Sequence, residues 1–157
     1  MPAPVATARQ DPAGIRLEDG YRTLVTFASI PTASLWEISI TPPGLDGGEA
    51  IDTTTMHNDT YRTRASRALK TLTTFTMTAA YDPNYYNQLL GLINYNDTVT
   101  VTFPDGSTLA FFGFLQSIEP GELVEGTMPT ATVTVTPTNT DQTGAEQSPV
   151  LTSVAGT

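Results

Sequence analysis

The chain alternates between apolar and polar residues over several short stretches, and each stretch reads as a β-strand. Tyr21 to Ile30 sets Val25, Phe27 and Ser29 against Leu24, Thr26 and Ala28, and Pro31 follows. Leu35 to Thr41 puts Trp36, Ile38 and Ile40 on one face and Glu37, Ser39 and Thr41 on the other, before Pro42–Pro43. Leu69 to Ala79 carries Leu69, Thr71, Thr73, Phe75, Met77 and Ala79 opposite a Thr-rich face, which would meet solvent or a wet channel. Thr98 to Phe103 turns Val99, Val101 and Phe103 inward. Pro104-Asp105-Gly106-Ser107 forms a turn, and Thr108 to Leu115 returns. Leu109, Phe111 and Leu115 take one face of that return, Phe112 and Phe114 the other. A strand apolar on both faces is expected to be covered on both. Ala131 to Thr136 closes the series with Val133 and Val135 inward.

Only one segment switches to helical spacing. Asp82 is suited to cap a helix, and Pro83 to be its first residue, where a missing N–H costs nothing. Tyr86, Leu89, Leu90 and Ile93 then form one stripe, which predicts a helix over 83–93. The fold class is mainly β: a β-sandwich or small barrel flanked by one short α-helix, with a long inter-strand loop and extended termini. Residues 1–20 form an N-terminal arm, 21–136 the β domain and 137–157 a polar C-terminal tail or second arm.

The interval between the second and third strands breaks the pattern. Residues 42–68 make a 27-residue connection without a clear period, with Gly44, Gly47 and Gly48 near its start. So long a connection in a compact domain implies a use. Short acidic residues 117–130 carry Gly and Pro, with room for a strand near 123–127.

Composition sharpens this picture. Threonine supplies 29 of 157 residues, which favours strands. Net charge is −9, unevenly distributed. All seven basic residues (Arg9, Arg16, Arg22, Arg62, Arg64, Arg67 and Lys70) precede position 71, and every charge beyond is acidic. Gripping a phosphate backbone takes cations, and the second half has none. It could form an acidic wall that nucleic acid passes without sticking, although such acidity also serves solubility. There is no cysteine, so thiol chemistry and disulfides are excluded. No stretch reads as a secretory signal or membrane helix, and synthesis in the cytoplasm is expected.

Catalytic patterns do not emerge. His57 is the single histidine, in a loop with Asp52 and Asp59 at no fixed metal-ligand spacing. No carboxylate pair is fixed by spacing among Glu37, Asp82, Asp97, Glu119, Glu122 and Glu125. Neither an enzymatic role nor a cofactor or metal is expected. Tyr81, Tyr85, Tyr86 and Tyr95 leave open a monomeric carbohydrate-binding or adhesion module.

The order of segments carries a resemblance. WEISITPPG, the long loop, LKTLTTFTMTAAYDP, the helix, VTVTFPDGSTLAFFGFLQSIEPGE and GTMPTATVTVTPT together resemble a major tail tube protein of long-tailed (siphovirus-like) bacteriophages, over roughly residues 22–138. The resemblance implies a structural subunit of the virion tail. It would form hexameric rings that stack into a hollow tube around a tape-measure protein, bounded by tail terminator and distal tail or baseplate proteins. DNA would later pass through the bore. Related inner tubes of contractile tails, gene-transfer particles and tail-derived bacteriocins share that pattern. On this reading loop 42–68 reaches a neighbouring subunit. Arg62, Arg64, Arg67 and Lys70 would pair across subunits with Glu119, Glu122 and Glu125, and Glu37, Asp82, Asp97 and Asp105 would face the lumen.

Overall fold

A computed structural model describes residues 22–31 and 35–153. The expected N-terminal arm, residues 1–20, lies outside them. The chain is mainly β, as its alternation predicts. Its main body is one seven-stranded antiparallel sheet in the order β1-β8-β9-β10-β7-β2, with β11 also pairing with β9. The strands are β1 (Leu24–Phe27), β2 (Glu37–Thr41), β7 (Phe75–Ala80), β8 (Asn96–Thr102), β9 (Thr108–Pro120), β10 (Thr130–Pro137) and β11 (Val150–Thr152). Two short ladders lie outside this sheet: β3 (Leu45–Asp46) with β6 (Thr71–Leu72), and β4 (Ile51–Asp52) with β5 (Arg64–Ala65).

The sheet curls around one core but does not close into a barrel. Val25 and Phe27 of β1, Phe75 and Met77 of β7, Val99 and Val101 of β8, Phe111 and Leu115 of β9, and Val133 and Val135 of β10 share one buried cluster. The rings of Phe75 and Phe111 meet at 6.1 Å between centroids, although β10 lies between their strands. Each such fully buried ring contributes about 2–3 kcal/mol from area removed from water. Among the described residues this one large sheet, with the two small ladders beside it, encloses the core, in keeping with the expected mainly β fold with one short helix.

Two bulges set which side chains turn inward. In β9 the register on β10 shifts between Val135↔Leu115 and Thr134↔Ser117. The extra residue, Gln116, keeps Ile118 on the core face opposite Val133. In β2 the shift falls between Glu37 and Ser39. It breaks the expected Trp36–Ile38–Ile40 face: Ile40 packs on the core, while Trp36 and Ile38 are exposed.

The helix is α1 (Pro83–Leu90), shorter than the stripe predicts. Its cap is as expected: the Asp82 carboxylate accepts from the Asn84 N–H at 2.9 Å. Beyond Leu90 the chain tightens through i→i−3 bonds from the Leu92 and Ile93 N–H groups. Asn94 then takes a positive φ of 61° and donates to the Leu115 carbonyl. This tighter turn sends Leu89 and Leu92 into the core and leaves Leu90 outside.

The C-terminal segment differs from the expected loose tail. Thr138 N–H continues the β9 ladder onto the Phe112 carbonyl. The chain then makes a turn and returns as β11 beside residues 108–110. Asp141 knots the turn, accepting from Thr143, Ala145 and Gln147. These bonds, led by the Thr143 hydroxyl, hold its carboxyl down to about 2. The Asn96 side chain donates to the Thr140 carbonyl and accepts from the Thr138 hydroxyl, tying the segment to β8. No strand forms at 123–127; residues 121–129 are a loop with a turn closed by Thr127 N–H on Val124 O.

Candidate assembly surface

The long connection is a β-ribbon rather than an irregular loop. It leaves β2 at Thr41 and rejoins β7 at Phe75. Its base is pinned where Gly44 N–H meets the Thr73 hydroxyl at 2.7 Å and Thr73 N–H meets the Gly44 carbonyl at 2.8 Å. The β3–β6 and β4–β5 ladders extend it outward. Thr53 and Thr63 are bonded through both main chain and hydroxyls, and Asn58 closes the tip by bonding Thr55. Such a ribbon leaves no periodic trace in the sequence because its ladders are only two residues long.

Almost nothing on this arm is buried. Leu45, Ile51, Met56, Tyr61 and Leu69 all stand exposed, Met56 at 102%. A single exposed Leu needs no explanation, but five large apolar side chains on one projecting ribbon form an unpartnered surface. The outgoing limb carries Asp46, Glu49 and Asp52, and the returning limb Arg62, Arg64, Arg67 and Lys70. Arg62 lies 3.9 Å from Asp52, and Arg67 Nε donates to the Glu49 carbonyl at 2.8 Å. Both contacts hold the ribbon together. The Thr54 hydroxyl and N–H hold the Asp52 carboxyl below its usual range. Arg64 and Lys70 extend into solvent. His57 sits at the exposed tip, and among the described residues no group of His, Cys, Asp or Glu could hold a metal ion.

The expected acidic partners lie elsewhere. Glu119 precedes the last residue of β9, and Glu122 and Glu125 follow in the exposed β9–β10 loop, beside Leu123, Val124 and Met128. Register fixes the geometry. The base of the arm meets β10 at Phe75↔Val135, whereas the acidic loop joins the sheet near Ala80↔Thr130. Five strand residues separate these positions, or about 17 Å. The cationic limb and the acidic loop therefore belong to opposite ends of the same strands. Trp36, 63% exposed, adds to the acidic end, its carbonyl accepting from Ala80 N–H.

The four carboxylates expected on a lumen wall have local tasks instead. Glu37 is half-buried on the core face and accepts from the Val25 N–H at 3.0 Å. Asp97, only 4% exposed, accepts from the N–H groups of Ser29 and Thr98 at 2.9 and 2.8 Å. Asp82 caps α1, and Asp105 accepts from Ser107 in the β8–β9 turn, where Gly106 supplies the positive φ of 85°. A short carboxylate two residues before a free backbone N–H is a capping group first, and the sequence contexts of Asp82 and Asp105 carry that signal.

The tyrosines do not form a common platform. Tyr81 and Tyr86 pack edge-on against each other at 5.7 Å, and Tyr85 packs on the core. Tyr95 is exposed, and its hydroxyl accepts from Gln142.

No protein-family model matches the chain. No curated protein matches it by sequence. Solved structures do share its fold at low identity. A chain in the baseplate of the anti-feeding prophage, solved by cryo-EM with six-fold symmetrisation, superposes with a TM-score of 0.59 at 10% identity, over 83% of this chain and 90% of that one. A chain of the native gene transfer agent virion gives 0.62 at 10% identity, over 87% and 99%. A chain of the tail of the empty gene transfer agent particle, obtained by helical refinement with C6 symmetry, gives 0.59 at 10% identity, again over 87% and 99%. The fold is thus one found in phage-like tail and baseplate particles.

Proposed function

We propose that this protein is a structural subunit of a phage-like tail tube. Copies assemble into hexameric rings, the rings stack into a hollow tube, and DNA passes along the bore. Tube growth proceeds around a tape-measure protein and ends at terminator and baseplate partners. The observation that carries this reading is the arm: a ribbon folded on its own backbone, with five apolar side chains and the cations Arg64 and Lys70 that none of the described residues covers. Its placement opposite the acidic β9–β10 end suits head-to-tail contact, in which one copy's arm meets the next copy's Glu119, Glu122 and Glu125. Such heterologous contacts propagate rather than close. The shared fold with chains of six-fold symmetric tail and baseplate particles supports the same reading.

The arm can be removed at a defined place. Asp46 and Thr71 face each other in the β3–β6 ladder, so an Asn-Gly turn can replace residues 47–70. The shortened chain is expected to stay folded and monomeric while the full chain forms tubes. Tube formation by the shortened chain would overturn the assignment of the arm.

A further inference from the structure

We propose that the apolar tip of the β9–β10 loop of one copy seats in an opening of the core that the next copy leaves beside β11. This contact rests on the head-to-tail reading above and is made by residues outside the arm.

Register identifies the opening. Val25, Val101, Leu109 and Leu151 lie side by side across β1, β8, β9 and β11. Directly opposed residues in an antiparallel ladder point to the same side. Val25 and Val101 are buried, so the row faces the core. Leu109 is only partly buried, and Leu151 is 66% exposed. Phe103, two residues beyond Val101 and on the same side of the strand, is also only partly buried. A row that begins in the core thus ends uncovered. The cause is topological. β10 and β11 follow one another along the same edge of β9, facing Gly113 to Pro120 and Thr108 to Ala110. β7 lines β10 only as far as Phe75↔Val135, and the residues before it belong to the arm. Among the described residues β11 pairs with β9 alone.

The β9–β10 loop has the complementary form. Its ends are pinned by Gly121 N–H on the Thr130 carbonyl at 2.7 Å and by Tyr81 N–H on the Pro129 carbonyl at 2.9 Å. A turn from Val124 to Thr127 closes its tip, with Gly126 at a positive φ of 78°. Leu123, Val124 and Met128 stand exposed on this fixed frame. A loop already held in shape loses little freedom when it docks.

Position and charge select a second copy as the occupant. Leu109 precedes Pro120 by eleven residues of β9, about 35 Å. A protomer therefore cannot close the contact on itself, whereas a copy stacked head-to-tail brings its loop to the next copy's opening. Glu119, Glu122 and Glu125 flank the apolar tip. Arg64, Arg67 and Lys70 leave the sheet on the side of Phe75 away from Ala80, which is the side that holds the opening. Asp105, in the turn beside β11's partner residues, is engaged by Ser107. The acids around the arriving tip thus meet cations, while its leucine, valine and methionine cover Leu151, Leu109 and Phe103. Apolar area leaves water on both copies, and the contact repeats without closing.

The chain has no cysteine, so Val124→Cys and Leu151→Cys can be placed together in one chain. Oxidised tubes of this variant should give a ladder of disulfide-linked multimers on a denaturing gel, each copy joined to the next, since a disulfide forms where Cα atoms come within about 7 Å. Tubes that form without a ladder overturn the proposal and leave the tail-tube reading standing. A wild-type chain that forms no tubes removes both. Leu151→Cys by itself should react with a small maleimide freely in the protomer and at least tenfold more slowly in tubes. Protection already present in the protomer would mean that the chain's own terminal residues cover Leu151, and equal reaction in both states would mean that nothing does. Each of these results overturns the proposal. Leu123→Ser with Val124→Ser should raise the protein concentration at which tubes first appear at least tenfold while the protomer unfolds at the same urea concentration; an unchanged threshold would contradict the seated tip.

Discussion

Glu37 on β2 and Val25 on β1 belong to the two terminal strands of the sheet, yet the Glu37 carboxylate accepts from the Val25 N–H at 3.0 Å. One side chain thus spans the opening of a sheet that does not close by strand pairing. Glu37→Ala leaves that N–H without its partner at a half-buried site, at a cost of about 1–3 kcal/mol. Glu37→Gln keeps an acceptor and should cost less. Urea unfolding of the unassembled protein checks both, and equal stabilities for wild type and Glu37→Ala would contradict the assigned role.

Gly113 makes a second prediction. It faces Pro137 in the β9–β10 ladder, where a Cβ would lie 2.9 Å from the Thr136 carbonyl and 3.2 Å from Val135 Cγ1. The carbonyl belongs to the backbone and cannot swing aside. Gly113→Ala should destabilise by about 1–3 kcal/mol through overpacking, read as a lower urea midpoint with an unchanged slope.

Much of this architecture was legible in the alternation. Val25, Phe27, Phe75, Met77, Val99, Val101, Phe111, Leu115, Val133 and Val135 are inward because strands repeat every two residues and nothing interrupts the count. Where a bulge adds a residue the count fails, as at Ile38 and after Leu115. The arm was visible as a long unpatterned interval but not as a ribbon, because it has no core to impose a pattern on it. The C-terminal segment looked loose because its order comes from polar bonds around Asp141 and Asn96. The bonds of the Glu37 and Asp97 carboxylates to the distant N–H groups of Val25 and Ser29 are not legible in the sequence, because no side-chain pattern announces a backbone partner.

Charge on the arm gives a third prediction. Arg64 and Lys70 are exposed, and Arg67 offers its remaining guanidinium N–H groups. Arg64→Glu with Lys70→Glu should leave the protomer's stability within about 0.5 kcal/mol, since exposed charges contribute little to it. Assembly should slow at least tenfold in low salt, because it would set acid against Glu119, Glu122 and Glu125 of another copy. Adding salt should narrow the gap. Light scattering during assembly reads both, and identical wild-type and variant rates at every ionic strength would contradict head-to-tail pairing.

The turn at Asp141 predicts a pH response. Its folded value of about 2 lies below the ordinary 3.8. A depressed carboxyl favours the folded form above its unfolded value, and that contribution is lost as pH falls through the folded one. Residues 139–147 should therefore keep their order from neutral pH down to about 4 and lose it near 2. An NMR titration of the Asp141 carboxyl should show the low midpoint, and Asp141→Ala should loosen the turn at neutral pH. A midpoint near 3.8 would contradict the assigned bonds.

The central claim is that this chain builds a tube from its own copies. Electron microscopy of the purified protein at high concentration tests it most directly. Hollow tubes of stacked rings with six-fold end views are the predicted result, and a dispersion of single protomers at every concentration would contradict it.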